Sequence, residues 1–196
     1  MVATNKGSRG RPRRFDPDEA VDVAQQLFHT RGYDAVSVAD VTQAIGINPP
    51  SFYAAFGSKA GLYERVLERY AETGAIPLSQ LLRSDRPAGE SLIAVLEDAA
   101  RRYVTDPSRA GCLVLEGIRC SDSGAREETR AYHAAAQDLI CRYIAERHPN
   151  EAQGLADYMS VTMAGLSAMA RNGHDLDQLL STARLAGLAI TQALSE

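Results

Sequence analysis

Apolar residues recur along this chain at helical spacing, and nowhere with the strict alternation of a half-buried strand. The pattern is most explicit between Ser37 and Lys59. Val38, Val41 and Ile45 stand at i, i+3 and i+7, with Ser37 ahead of them as an N-cap. Gly46 follows, where a left-handed residue ends a helix without steric cost. Asn48 is a second N-cap, and Pro49 takes the first helical position, where a missing N–H costs nothing. Phe52 and Phe56, one turn apart, bury toward Val41 and Ile45 and leave Pro50, Ser51, Tyr53 and Ala54 outside. Two short helices and a tight turn predict a helix-turn-helix whose second helix enters a DNA major groove. A helical hairpin with no partner has the same spacing, so the pattern alone leaves both readings open.

The rest of the chain is also helical. Asp16, Pro17 and Glu19 predict the N-cap, first position and capping box of a helix that buries Ala20, Ala24, Leu27 and Phe28. Gly32 stops it and Tyr33 folds back. Ser58 caps a fourth helix to about Glu72, with Leu62, Val66 and Tyr70 facing the N-terminal unit and Leu67 the body. Gly74, Pro77, Pro87 and Gly89 then interrupt the pattern and place a domain boundary near residue 75. The division is an arm (1–14), a helix-turn-helix unit (15–74) and a helical body (75–196). Helices are expected over 88–105, 111–120, 123–147, 151–172 and 176–194, so the fold class is all-α. In the last, Leu176, Leu180, Ala183, Gly187, Ile190 and Leu194 are spaced 4, 3, 4, 3, 4, a seam with small residues at its middle. Leu179, Leu185 and Leu188 make a second apolar side, and Ala164, Gly165 and Ala168 on the preceding helix permit close approach. An internal core and an intermolecular seam both fit.

Charge sharpens this reading. The net charge is −4, yet residues 1–70 carry +1 and the remainder −5. Residues 1–14 hold Lys6, Arg9, Arg11, Arg13 and Arg14 and no acid, either a merely soluble tail or an arm for phosphates or the minor groove. Lys59, in a first helical turn, opposes the helix dipole, whereas a phosphate there would be favoured by dipole and lysine together. No run of eighteen apolar residues exists and no apolar segment follows the basic N-terminus, so neither a membrane anchor nor a signal peptide is expected. Cys112 and Cys120, on one helix, would lie about 12 Å apart, too far for a disulfide. A reducing cytoplasm is the simplest compartment.

No catalytic motif is present: no nucleophile elbow, zinc-protease pair or phosphate-cradling loop. His29, His133, His148 and His174 are scattered and read as surface or capping residues. No enzyme activity, metal or cofactor is expected.

Asp16 to Tyr70 resembles the DNA-binding domain of the tetracycline-repressor (TetR) family of bacterial transcriptional regulators. The resemblance is carried by Leu27-Phe28, Arg31-Gly32-Tyr33, Ser37-Val38-Ala39-Asp40-Val41, Ala44-Ile45-Gly46-Ile47, Ser51-Phe52-Tyr53-Ala54-Ala55-Phe56 and Ser58-Lys59 before Leu62. Many members carry His at the position of Ala55, so a contact made there by relatives is absent here. The resemblance implies a homodimer paired through the last two helices, with Gly165, Ala168 and the final seam at the interface. It also implies a small-molecule effector, of unreadable identity, within the bundle, where Tyr103, Cys112, Glu116, Cys120, Tyr132, Met159 and Met163 are candidates. The function expected is a ligand-responsive regulator, a repressor, on a palindromic operator in double-stranded DNA. The alternative is a helical small-molecule or metal sensor with secondary or lost DNA binding. The DNA-contacting set is Arg11, Arg13, Arg14, Ser37, Asn48, Pro49, Pro50, Ser51, Tyr53 and Lys59. The recognition positions hold no Arg, Lys or Gln, and so no bidentate reader of guanine. Apolar contact with thymine methyls and an arginine arm in a narrow minor groove then predict an A·T-rich operator.

Overall fold

The structure, a computed structural model, describes residues 16–195. Arg11, Arg13, Arg14 and the rest of the arm lie outside the described residues. Four helices make the N-terminal unit: α1 (Pro17–Arg31), α2 (Val38–Ile45), α3 (Pro49–Phe56) and α4 (Lys59–Thr73). After a single-turn helix α5 (Leu78–Leu81), the body is built from α6 (Ala88–Tyr103), α7 (Leu113–Gly117), α8 (Ser123–Ala145), α9 (Ala152–Arg171) and α10 (Leu176–Ala193). No strand occurs among the described residues.

The caps act where their chemistry places them, with one change. Asp16 accepts from the N–H of Asp18 (2.9 Å), a short Asx turn, in place of the capping box expected with Glu19. A capping box forms instead at Ser37 and Asp40, and another at Asp175 and Gln178. Gly32 and Gly46 both take φ +76°, which a side chain would resist, and so turn the chain after α1 and between α2 and α3. The body differs from expectation in two places. The 111–120 helix shrinks to five residues, and a 3₁₀ turn, Pro107–Arg109, precedes it. A run of apolar residues cannot by itself distinguish a helix from a buried turn.

Two buried clusters form. One joins Ala20, Phe28, Val41, Phe52, Leu62 and Val66 with Leu113, Cys120 and Ala125 of the body. The other fills α6, α8, α9 and α10 around Leu92, Leu96, Ile144, Met159 and Leu166. Tyr70 lies in the first cluster as expected, with its hydroxyl also reaching the Cys112 thiol of the body at 3.6 Å, and Leu67, expected to face the body, belongs to that same cluster. The N-terminal core is thus roofed by α7 and the start of α8. Polar ties follow the same seam: Asp34 accepts from the N–H (2.9 Å) and hydroxyl (2.7 Å) of Ser121, and Tyr33 donates to Asp122 (3.2 Å).

His29 is the most buried of these ties, which corrects its reading as a surface residue. Its Nε2–H donates to the Gly111 carbonyl (3.2 Å), and Arg171 donates to its own carbonyl (3.2 Å). Burial drives its pKa down to about 4, opposed by the Gly111 hydrogen bond and assisted by Arg171 and Arg109. The folded form therefore binds fewer protons than the unfolded chain between pH 4 and 6.5. Stability from this site is complete above the ordinary histidine value and is lost as pH falls through that window. His29→Gln, which keeps a donor but does not titrate, is expected to flatten the pH dependence of the thermal midpoint between pH 6.5 and 4. An unchanged slope would mean that other groups carry the acid sensitivity.

The seam along α10 turns inward. Leu180, Ala183, Gly187 and Ile190 are buried, and a side chain on Gly187 would start 2.9 Å from Cγ1 of Ile93 on α6. Leu194 is half-buried against the same core. These positions, expected between protomers, instead hold α10 to α6 within one chain. The 4-3 spacing reports a helix–helix contact without saying whose helix is met.

Candidate functional site

The helix-turn-helix stands on its two phenylalanines. Phe52 is fully buried and Phe56 nearly so, against a core that includes Val41. That anchoring turns Pro49, Pro50, Ser51, Tyr53 and Ala54 outward, with Ala55 half-buried. Tyr53 is 52% exposed, its ring packed edge-on to Phe52 at 5.3 Å. The Asn48 Oδ1 accepts from the N–H of Ser51 (2.9 Å), so its outward polarity is the amide NH₂. At the other end of the motif, Asp40 accepts from the Ser37 N–H (2.8 Å) and Arg31 (3.0 Å). The Ser37 hydroxyl, then Arg31, hold that carboxyl well below its usual range. Ser37 is exposed but occupied by this cap.

Lys59 departs from its expected role as a free phosphate anchor. Its Nζ donates to the carbonyls of Tyr33 (2.9 Å) and Val36 (2.8 Å) and sits 3.9 Å from the Tyr33 ring centroid. The dipole of α4 disfavours a cation over its own first turn, and the side chain escapes toward carbonyls of the α1–α2 connection. Two of the three ammonium protons are thereby committed.

Behind α4 lies a cavity of about 210 Å³. Tyr70 and Ala71 of α4 and Ala75 just after it form one wall, and Tyr103 and Cys112 another. Tyr132, His133 and Ala136 of α8 and Ser160 and Met163 of α9 close it. Four of the seven residues expected here are present: Tyr103, Cys112, Tyr132 and Met163. Three are elsewhere. Met159 is fully buried in the second core cluster, Cys120 is in the first, and Glu116 pairs with Arg171 (3.0 Å). Sequence reasoning missed Tyr70, Ser160 and His133, whose Nε2 lies 3.2 Å from the Ser160 hydroxyl. The adjacency of His133 to Tyr132 was the available signal.

A second surface is apolar without being buried. On α9, Tyr158, Val161, Gly165 and Ala168 are exposed at steps of 3, 4 and 3. On α10, Leu185 and Leu188 are 66% and 68% exposed, and Leu176 at its start is also exposed. Val161 is 72% exposed. Clustered large apolar residues on two adjacent helices mark an interaction surface.

A capped helix-turn-helix packed on a helical body with an internal cavity defines the class of one-component helix-turn-helix regulators. Within that class, residues 20–66 match the family described as bacterial regulatory proteins, tetR family. The chain is 56% identical, over its whole length and that of the relative, to the HTH-type transcriptional repressor BdcR of Escherichia coli (strain K12). It is 32% identical to the transcriptional repressor ComR of the same organism, covering 91% of this chain and 90% of that one. Among solved structures, a cysteine-substituted CifR, a TetR family transcriptional regulator complexed with 26-base-pair double-strand operator DNA, superposes with a TM-score of 0.82. That match has 30% identity and covers 91% of this chain and 99% of CifR. The chain belongs to the tetR family: it is a transcriptional regulator, and not an enzyme. No helix among the described residues is long and apolar enough to cross a membrane.

Proposed function

We propose that this chain is a homodimeric, effector-responsive transcriptional repressor acting in the cytoplasm on a palindromic operator in double-stranded DNA. A DNA-reading unit, residues 15–74 with the arm 1–14, is governed by the body, residues 75–196. The observation that carries the reading is α3, held by Phe52 and Phe56 so that Pro49, Pro50, Ser51 and Tyr53 face solvent. BdcR and ComR are named repressors, and CifR is bound to operator DNA, which supports the same role here. Two copies joined through the exposed faces of α9 and α10 present two recognition helices to one side of the duplex, as half-sites require. Small molecules entering the cavity touch α4 and Cys112 together, and Gly111, next to Cys112, is bonded to α1 through His29.

The outward face of α3 offers methyl and proline contacts, the Ser51 hydroxyl and the Asn48 amide, each weaker than the ~1–3 kcal/mol of a bidentate base reader. Arg9, Arg11, Arg13 and Arg14 supply the missing discrimination in a narrow minor groove. The test is a binding selection on randomised DNA with the full chain and with residues 1–14 deleted. The full chain is expected to return a palindrome flanked by A·T-rich steps, and the truncation to weaken binding and flatten those steps. Identical preferences from both proteins would reduce the arm to an electrostatic tether. No selected sequence at all would favour a sensor that has lost DNA binding.

A further inference from the structure

The cavity behind α4 has a polarity that restricts what can occupy it. Among the described residues that line it, none is Asp, Glu, Lys or Arg, and its one histidine, His133, is engaged with the Ser160 hydroxyl (3.2 Å), so a buried ionic group finds no fixed counter-charge. Outside it, Glu64, Glu68 and Glu72 follow one another at i, i+4 and i+8 on α4. Burial first, and then the charges of these three and of Glu128 on α8, disfavour ionisation of the Tyr132 phenol. An anion beside Tyr132 meets those carboxylates, and a cation inside the cavity loses solvation without a carboxylate partner. The volume, about 210 Å³, exceeds the roughly 150 Å³ of an apolar cavity that admits benzene. A small uncharged molecule fits.

Two phenols define its polar end. Tyr70 and Tyr103 are almost wholly buried; the Tyr70 hydroxyl donates to the Cys112 thiol at 3.6 Å, and the Tyr103 phenol stands by the same sulfur. The Tyr70 proton is directed at the Cys112 sulfur. Thiol sulfur is a weak acceptor, so two good donors converge on a poor partner inside an apolar chamber. Burial raises both phenols well above their ordinary pKa, so both remain donors throughout the physiological range. A carbonyl oxygen placed there would accept from both hydroxyls more strongly than the sulfur does.

We propose that the effector is a small, uncharged, largely apolar molecule carrying a carbonyl-type acceptor oxygen, which the Tyr70 and Tyr103 hydroxyls bind in place of the Cys112 thiol. This rests on the reading of the cavity as the effector site. The ring or chain of the ligand lies along Ala71, Ala136 and Met163, and its oxygen points toward Cys112.

The experiment uses full-length protein and four probes of similar size: acetophenone, isopropylbenzene, benzoate and 1-phenylethylammonium. Titration calorimetry is expected to show the two neutral probes binding and the two ions not. In Tyr70→Phe and Tyr103→Phe, each first shown to melt cooperatively, the ratio of ketone to hydrocarbon affinity should fall about fivefold per hydroxyl, the hydrocarbon affinity itself being unchanged. An unchanged ratio, tighter binding of benzoate or of the ammonium than of the ketone, or no binding by any probe would overturn the proposal. Release of the DNA flanking the gene is measured in parallel. Ketone binding that discriminates as expected but leaves DNA bound would uphold the ligand class and refute the cavity's role as the effector site.

Discussion

Replacing Leu185 and Leu188 together by glutamate is expected to produce a folded monomer that no longer holds its operator. Both side chains project from α10 into solvent, about two-thirds exposed, as does Val161 from the neighbouring α9. Their removal leaves no cavity in the chain, so the thermal midpoint of the monomer should stay close to that of the parent at low concentration. In a two-fold dimer each substitution is met twice, and truncating an apolar anchor costs about 2 kcal/mol or more. Placing four carboxylates in the interface adds to that, so the dimer dissociation constant should rise roughly thousandfold or more. Sedimentation reports the change directly, and operator affinity falls with it because one half-site binds weakly. An intact dimer would place the interface elsewhere. Gly187→Arg provides the contrast. The seam spacing makes it look like an interface change, but Gly187 faces Ile93 inside the bundle, where an arginine would be overpacked and its charge unpaired. That variant should lose about 4 kcal/mol or more and fail to fold, leaving no soluble monomer to measure.

Lys59→Met should destabilise the N-terminal unit in the absence of DNA. The ammonium satisfies two carbonyls, of Tyr33 and Val36, and covers the Tyr33 ring. Losing it leaves those acceptors to partial solvation and removes a cation–π contact, a cost of about 2 kcal/mol for a half-buried site. For a chain of this length that corresponds to roughly 4–8 °C in the thermal midpoint. The measurement is a melt without DNA, set beside the salt dependence of operator binding. A normal midpoint with a salt slope reduced by about 1 would instead return Lys59 to a phosphate.

Both expectations turn on which neighbour a side chain meets, and there local pattern and tertiary structure separate. The helix-turn-helix was legible because every determinant is local. Ser37 and Asn48 cap the residues that follow them, Gly46 alone tolerates the turn, and Phe52 and Phe56 fall on one face whatever the rest of the chain does. The helical body and its order followed from the same 3.6-residue period. A smaller part of the cavity was legible as well, since Tyr103, Cys112, Tyr132 and Met163 are uncommon residues in otherwise plain apolar stretches.

What the tertiary structure decided is partnership. Leu180, Ala183, Gly187 and Ile190 have the spacing of a seam, but only the position of α6 shows that the seam closes inside one chain. Val161, Leu185 and Leu188 stay exposed because no element among the described residues covers them. Lys59 and His29 are polar residues on helices to any local rule. The carbonyls that hold them belong to Tyr33 and Val36 in one case and to Gly111, 82 residues away, in the other. Amphipathic spacing reports how much of a helix is buried, because burial depends on period. It does not report against what, because that depends on segments far apart in the chain that meet only when the whole core closes.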